Sequence, residues 1–183
     1  LISVTERIIV DNPRDYLDFL QDLFPYLEKY LVTDYLPKLV ERISYMMEQY
    51  QLNTICDRAL LLDYKAELFV LRKDFDNALK KRKKAIQLME KLHTPEADVS
   101  SASLLSNLYN NLSNTYLYLK QGKDAAQALR TAFDIRIEYA HLGLLESHDT
   151  LQQMMNLTNM LLLGKEWEQA RQILALYESL VLE

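Results

Sequence analysis

Glycine, proline and cysteine are scarce in this chain, which has three, four and one of them among 183 residues. So few turn-forming residues exclude an all-β protein, because that class needs many tight turns. The single cysteine, Cys56, cannot form an internal disulfide, so we expect a reducing, cytoplasmic setting. No apolar run approaches the roughly 18 residues that cross a bilayer, and no signal-peptide pattern is seen, so a membrane partner is not expected.

An excess of positive charge is also missing, since the net charge is -5. Phosphate binding depends on clustered Lys and Arg, so the negative net charge argues against nucleic acid as a partner. Apolar residues make up 49% and charged residues 26%, as in ordinary globular proteins. Leu, Ala, Lys, Glu and Gln dominate, and they favour helices. The composition therefore predicts an all-α protein. Because the chain begins at Leu1, we expect a piece of a longer protein in which residues 1–12 are a linker or the end of a preceding element.

Helix-breaking residues divide the chain into eight segments of similar length. The predicted helices cover 13–30, 33–51, 53–73, 75–92, 94–120, 122–141, 147–164 and 166–182. Gly122, Gly143 and Gly164 are expected to end the helices before them, because glycine readily adopts the left-handed conformation that closes many helices. Short connections between such helices predict antiparallel neighbours.

Capping residues mark several of the helix starts. Asn12 precedes Pro13, and a cap followed by a first-turn proline is a typical start. Asn53, Thr94 and Ser147 are predicted to open the third, fifth and seventh helices. Pro25 lies inside the first helix and is expected to kink or split it.

A pattern of a small residue followed by a large one recurs along the chain. The pairs, each three residues apart, are Ala66 with Phe69, Ser113 with Tyr116, and Thr158 with Leu161. The spacing is 47 residues from Phe69 to Tyr116 and 45 from Tyr116 to Leu161. Phe75 and Trp167 each stand three residues before an Ala at a helix start, where the ring is expected to fill a hairpin corner. A fixed period of this size predicts stacked helical hairpins.

These residues resemble the tetratricopeptide repeat (TPR) family. Residues 111–116 followed by Lys120-Gln121-Gly122 look like the first helix and turn of that motif, as do 156–159 followed by 164–170. Residues 64–86 are the best single match, and the resemblance covers about 55–182. It implies repeats at 53–92, 95–141 and 147–182, after a degenerate hairpin at 13–51, in one domain.

The resemblance implies hairpins stacked into a right-handed superhelix. The repeats are 45–47 residues long, whereas the standard repeat has about 34. Long-repeat variants occur in bacterial peptide-receptor regulators, kinesin light chains and sensor modules of signalling ATPases. The implied function is a peptide- or protein-binding scaffold, and in a bacterial regulator it would be the ligand-sensing module.

The fifth predicted helix has two distinct faces and no charge from 99 to 119. Its core stripe is predicted to be Leu105, Leu108, Leu112, Tyr116 and Leu119. Its opposite stripe carries Ser103, Asn107, Asn110, Asn114 and Tyr118. An asparagine side chain both donates and accepts hydrogen bonds, so a row of amides can hold an extended peptide backbone.

Related positions on the neighbouring first helices extend this predicted groove. They are Gln152, Met155, Asn159 and Leu162 on the seventh helix, and Asp63, Glu67 and Val70 on the third. The groove is thus predicted to be acidic at one end, amide-lined in the middle and apolar at the other. The predicted contacts of a bound peptide are Asn107, Asn110, Asn114, Tyr118, Gln152, Asn159, Asp63 and Glu67, with a basic or free amino end toward Asp63 and Glu67. The alternative is that the amides stabilise the fold.

Other signals point away from catalysis. There is no phosphate-binding loop or nucleophile elbow, and the three histidines lack metal-ligand neighbours, so no enzyme activity, cofactor or metal is expected. The run 80–84 is interpreted as a solvated face. The remaining alternative function is a structural or homodimerisation spacer, because the eighth helix is more apolar than a capped end requires. Its apolar residues are Ile173, Leu174, Leu176, Tyr177, Leu180 and Val181.

Overall fold

A computed structural model describes residues 12–30, 33–92, 98–139 and 148–181, apart from the side chains at 148, 149, 177 and 179–181. Within these ranges the chain forms eight α-helices and no strand. The helices are α1 (Pro13–Lys29), α2 (Leu36–Gln49), α3 (Ile55–Leu71), α4 (Phe75–Met89), α5 (Val99–Tyr118), α6 (Gly122–Glu138), α7 (His148–Leu163) and α8 (Trp167–Val181), with a 3-10 turn at Thr33–Tyr35. The predicted all-α architecture is confirmed.

The starts of α1 and α3 follow from capping chemistry. Asn12 caps α1, accepting from the Asp15 amide at 3.4 Å. The helix continues through Pro25, so the proline does not split it, and the predicted kink stays a prediction. The cap of α3 is Thr54, not Asn53: its hydroxyl accepts from the Asp57 amide, and the Asp57 carboxylate accepts from the Thr54 amide, both at 3.1 Å. This reciprocal pair is a capping box, which satisfies two amides at once.

The start of α5 lies closer to the C-terminus than predicted. Asp98 caps α5 by accepting from the Ser101 amide at 2.8 Å, so the helix begins at Val99. The predicted start at Thr94 and the predicted stop at Gly143 lie outside the described residues, as does Ser147.

The corners between paired helices share one backbone geometry. A lysine with positive φ follows α3, α5 and α7: these are Lys73 (60°), Lys120 (59°) and Lys165 (63°). The next amide then donates to a carbonyl five residues back: Asp74 to Phe69 at 2.9 Å, Gln121 to Tyr116 at 2.9 Å, and Glu166 to Leu161 at 2.8 Å. This is the Schellman closure. The prediction that Gly122 ends a helix is wrong, since Lys120 takes the left-handed position and Gly122 begins α6.

These corners define equivalent positions in successive hairpins. The step from Lys73 to Lys120 is 47 residues and the step from Lys120 to Lys165 is 45, the same as the predicted periods. A residue in α3–α4 is therefore equivalent to the one 47 positions later in α5–α6, and then to the one 45 positions later in α7–α8.

The last corner is closed by backbone and not by an aromatic ring. Trp167 begins α8 with 63% of its surface exposed, so the prediction that it fills the corner is wrong. The Gly164 amide donates to the Met160 carbonyl at 2.9 Å, and such main-chain bonds close the turn without a side chain. Ala170 is buried, as expected of the small residue where helices approach closely.

The chain divides into two compact units, Leu1–Ala85 and Ile86–Glu183, here called unit 1 and unit 2. In unit 1, side chains of α1, α2 and α3 form one core, in which the Phe24 and Tyr64 rings stack with centroids 4.0 Å apart. In unit 2, α6, α7 and α8 enclose a second core around Phe133, Met154 and Leu161. The organisation of the chain as one domain stays a prediction.

Candidate functional site

An acidic cluster surrounds a buried arginine in unit 1. Arg82 of α4 is 3% exposed. Its Nε donates to Asp63 at 3.1 Å and its Nη2 donates to Glu67 at 2.5 Å. Asp63 and Glu67 lie one turn apart on α3, so both carboxylates reach the same guanidinium. The two acidic residues predicted to hold a basic group are therefore brought together around an internal cation.

A third carboxylate belongs to this cluster. Burial raises the pKa of Glu28, at the end of α1, to about 7, and repulsion from Glu67 and Asp63 adds to that shift. Burial also raises the pKa of Glu67. Three carboxylates thus share the field of one guanidinium, so the cluster has an excess of negative charge that an added cation would relieve.

In unit 2 the buried arginine has amide and hydroxyl partners. Arg136 of α6 is fully buried, with 0% exposed. Its Nε donates to Ser106 and Gln153, both at 3.0 Å, and its Nη2 donates to Asn107 at 2.6 Å. Its Nη1 donates to Thr150 at 2.9 Å. These bonds join α5, α6 and α7.

The amides predicted to line the groove differ in their surroundings. The Asn107 Oδ1 accepts from Arg136 and from Gln153, so this oxygen is used inside the fold. The Asn110 Oδ1 is buried and has no hydrogen-bond partner among the described residues. Its equivalent in the preceding hairpin is Asp63, which accepts from Arg82, whereas the equivalent of Arg82 is Leu129. Leucine has no donor, so the carbonyl oxygen of Asn110 is left without one.

The remaining predicted contacts are on the surface. Asn114 and Asn159 are exposed, and they occupy equivalent positions on α5 and α7. Tyr118 is 54% exposed at the end of α5. Gln152 is exposed and donates to Asn156 one turn later at 3.1 Å. These groups offer donors and acceptors to solvent without charge.

The predicted groove draws on residues of both units and stays a prediction. Asp63 and Glu67 belong to unit 1, and the other six candidates belong to unit 2. Sequence reasoning missed Glu28, Arg82 and Arg136. For Arg136 a signal was present, because it stands directly between Ile135 and Ile137. For Glu28, whose partners are 35 or more positions away, the local sequence carries no signal.

Hairpins with equivalent corners define an all-α helical repeat of the tetratricopeptide type. Two solved structures share this fold. BtubC (BKLC) from P. vanneervenii is 19% identical with a TM-score of 0.59, over 84% of this chain and 56% of that one. A Podospora anserina protein described as a kinesin light chain with nearly identical TPR-like repeats is 12% identical with a TM-score of 0.55, over 97% of this chain and 91% of that one. The TPR-like fold predicted from the sequence is therefore confirmed.

The match spans little more than half of the BtubC structure. No protein-family model and no curated protein matches the sequence. In the part of the chain that the structure describes, no helix is both long and apolar enough to cross a bilayer. In the same part, no group of histidine, cysteine and acidic side chains is arranged to hold a metal.

Proposed function

We propose that this helical repeat binds an extended peptide segment of a protein partner through the polar faces of its first helices. The observation that carries the proposal is the buried Asn110 oxygen, which lacks a donor within the described residues. A buried acceptor without a donor costs about 1–3 kcal/mol. A peptide N–H that reaches it would recover part of that free energy.

The surroundings of Asn110 support the proposal for unit 2. Asn114, one turn along α5, and Tyr118, one further turn along, continue the same face and are exposed. On α7, exposed Gln152 and Asn159 occupy positions equivalent to Asn107 and Asn114. Neutral amides hold a backbone without favouring a side-chain charge, which suits an extended peptide.

For unit 1, we propose that the cluster of Glu28, Asp63 and Glu67 holds a basic side chain or a free amino end. The proposal is supported by the raised pKa of Glu28, since an arriving cation would favour its ionised form. Binding of such a group would release a proton from Glu28. The affinity of this cluster for a basic group is therefore expected to rise between pH 6 and pH 8. The affinity of the amides of unit 2 for a peptide backbone is not expected to change in this way.

Thermal unfolding in the presence of short peptides tests both parts. Ligand at about 100 times its dissociation constant stabilises the bound state by roughly 2.7 kcal/mol, a readily measured shift. Each active peptide is then tested in acetylated form, which removes the terminal amine, and against the variant Asn110→Ala. The matched control is Asn77→Ala, which changes an amide on α4 outside the proposed contacts.

The stability of free Asn110→Ala separates binding from a structural role. If the amide serves a ligand, removing its oxygen leaves the free protein at least as stable and abolishes the ligand shift. If the amide supports the fold, the variant loses stability without any ligand present. A peptide that shifts both variants equally would show that Asn110 is not part of the binding site.

A second candidate function is homodimerisation through the terminal helices. The last hairpin supports it, because large apolar side chains there are exposed to solvent. They are Met155 (51%), Leu162 (37%), Leu163 (86%), Trp167 (63%) and Leu174 (44%). Light scattering across a concentration series checks this idea, with Leu163→Glu and Leu174→Glu expected to yield a monomer. A wild-type monomer at every concentration would reject it.

The finer parts of the proposal concern the cellular setting. We extend it to ligand sensing in a bacterial regulator because the long repeats resemble those of peptide-receptor regulators. A cytoplasmic location is proposed because the sequence contains a single cysteine, which suits a reducing compartment. Cell fractionation of the tagged protein tests the location, and the effect of an identified peptide on the output of the parent protein tests the sensing.

A further inference from the structure

A cation-lined cavity opens on the hairpin α3–α4 in unit 1. It has a volume of about 210 Å³ and is lined by Lys65, Leu68 and Phe69 of α3, by Arg72 directly after that helix, and by Lys81 of α4. Leu68 and Phe69 are half-buried and form an apolar floor. Three cationic side chains therefore surround one small apolar surface.

Ion pairs within the described ranges do not engage these three cations. None of the ion pairs or side-chain hydrogen bonds among the described residues involves Lys65, Arg72 or Lys81. Two carboxylates of the same hairpin, Asp63 and Glu67, bind Arg82 instead. In a chain with a net charge of -5, three lysine and arginine side chains at one cavity are a local concentration of positive charge.

Comparison with the other hairpins shows that the lysines replace apolar residues. Lys65 is equivalent to Leu112 and Leu157, which are 6% and 2% exposed. Lys81 is equivalent to Ala128, which is 6% exposed, and to Ile173. In unit 2, Leu157 and Ile173 line the corresponding groove between α7 and α8. The repeat thus has core positions at which this one hairpin carries charge, so packing does not explain the lysines.

We propose that this cavity binds an acidic segment of a protein partner. An aliphatic side chain of that segment contacts Leu68 and Phe69, and flanking carboxylates pair with Lys65, Lys81 and Arg72. The volume suits one or two side chains, whereas a nucleic acid or an anionic bilayer engages cations over a wide surface. The remaining negative charge of the chain repels such extended polyanions, while a short segment interacts mainly within a Debye length of about 8–10 Å. This site is separate from the amides of unit 2, so Asn110→Ala is expected to leave it unchanged.

The test measures fluorescence anisotropy of a labelled peptide with the core Glu-Glu-Leu-Leu-Glu-Glu. Lys65→Gln with Lys81→Gln is expected to weaken binding about tenfold, because two charge pairs at an apolar contact are lost. The matched control is Lys80→Gln with Lys84→Gln, which removes the same charge from exposed positions of α4 outside the cavity. Its effect is expected to stay below about twofold. Circular dichroism confirms that each variant is folded.

Control peptides and other anions complete the test. Replacing Glu by Gln, or Leu by Gly, in the peptide is expected to weaken binding, and inorganic phosphate is expected to compete poorly. Equal losses in the two double variants, or no saturable binding at millimolar peptide, would overturn the proposal. The proposal would also be overturned if phosphatidylserine vesicles or a DNA oligonucleotide bound more tightly than the peptide, and if that binding disappeared in the Lys65→Gln and Lys81→Gln protein.

Discussion

The two buried arginines, Arg82 in unit 1 and Arg136 in unit 2, perform similar packing roles with different chemistry. Arg82 joins α3 and α4 through the carboxylates of Asp63 and Glu67. Arg136 joins α5, α6 and α7 through partners that include the amides of Asn107 and Gln153. In unit 1 burial raises the pKa values of Glu28 and Glu67, whereas the amides bonded to Arg136 do not titrate, so unit 1 contains a pH-dependent junction.

The same contrast holds at equivalent positions along the repeat. The position of Asp63 is occupied by Asn110 in the next hairpin and by Met155 in the last. The position of Glu67 is occupied by Asn114 and then by Asn159. One backbone geometry thus presents an acidic, a polar neutral and a partly apolar face in turn. The comparison shows that the repeat conserves its corner geometry while its exposed chemistry changes from hairpin to hairpin.

The largest expected effect comes from removing the arginine of unit 2. Arg136→Met removes the donor that Ser106, Asn107, Gln153 and Thr150 share, and we expect a loss of about 3–5 kcal/mol. Urea unfolding followed by fluorescence of the single tryptophan, Trp167, reports on this unit. The control Arg130→Met, at a side chain that is 41% exposed, should cost less than about 1 kcal/mol.

Removing the arginine of unit 1 is expected to have a pH-dependent effect. Arg82→Met leaves Asp63 and Glu67 without their cation beside Glu28, and we expect a loss of about 2–4 kcal/mol at pH 8. Protonation of Glu28 and Glu67, whose pKa values are raised by burial, reduces the repulsion in the cluster, so the loss should shrink toward pH 5. Hydrogen exchange resolved to α3 and α4 measures the change. An equal loss at both pH values would remove the contrast between the two arginines.

The carboxylate at the end of α1 is expected to destabilise the fold above neutral pH. The folded-state pKa of Glu28 is about 7, above its ordinary value of 4.5, so its contribution is favourable below pH 4.5 and is lost as the pH rises through 7. Because the side chain is partly exposed, Glu28→Gln is expected to stabilise the protein by about 1 kcal/mol at pH 8. Below pH 4.5 the variant and the wild type should unfold alike. Glu41→Gln, at an exposed position of α2, is the control and should leave the midpoint of unfolding unchanged at both pH values.

The smallest expected changes in stability come from substitutions at the corners, which have the same backbone geometry in both units. Lys73→Gly and Lys120→Gly are each expected to stabilise by about 0.5–1 kcal/mol, because glycine adopts positive φ without the steric cost that lysine bears. Lys84→Gly, inside α4, should instead destabilise by about 1 kcal/mol. Thermal unfolding compares the three. A stabilising effect in only one unit would show that the corners are not equivalent.

The helices were largely predictable because their signals are local. The scarcity of glycine and proline, the apolar stripe of α5 and the caps at Asn12 and Thr54 all act within one or two turns. The corners were predicted at the right places with the wrong residue, since Lys120 and Lys165 take the left-handed conformation beside available glycines. There the Schellman hydrogen bonds of the backbone outweigh the preference of a single residue.

The site was less predictable because its chemistry depends on distant partners. Asp63, Glu67 and the amides of α5 were identified from composition, as an uncharged helix face next to an acidic one. Their partners were not, because Arg82 is 19 positions from Asp63 and Arg136 is 29 from Asn107. No sequence period marks such contacts.

Periodicity alone determined that this chain folds into helical hairpins with steps of 47 and 45 residues, because hydrophobic spacing and capping are properties of neighbouring positions. Tertiary structure decided which polar groups are used inside the fold. The Asn107 oxygen is taken by Arg136, while the oxygen of Asn110, one turn further along, has no donor among the described residues, although its equivalent Asp63 bonds to an arginine. Hydrogen bonding depends on what the neighbouring helix brings within about 3 Å, and only the packed chain determines that.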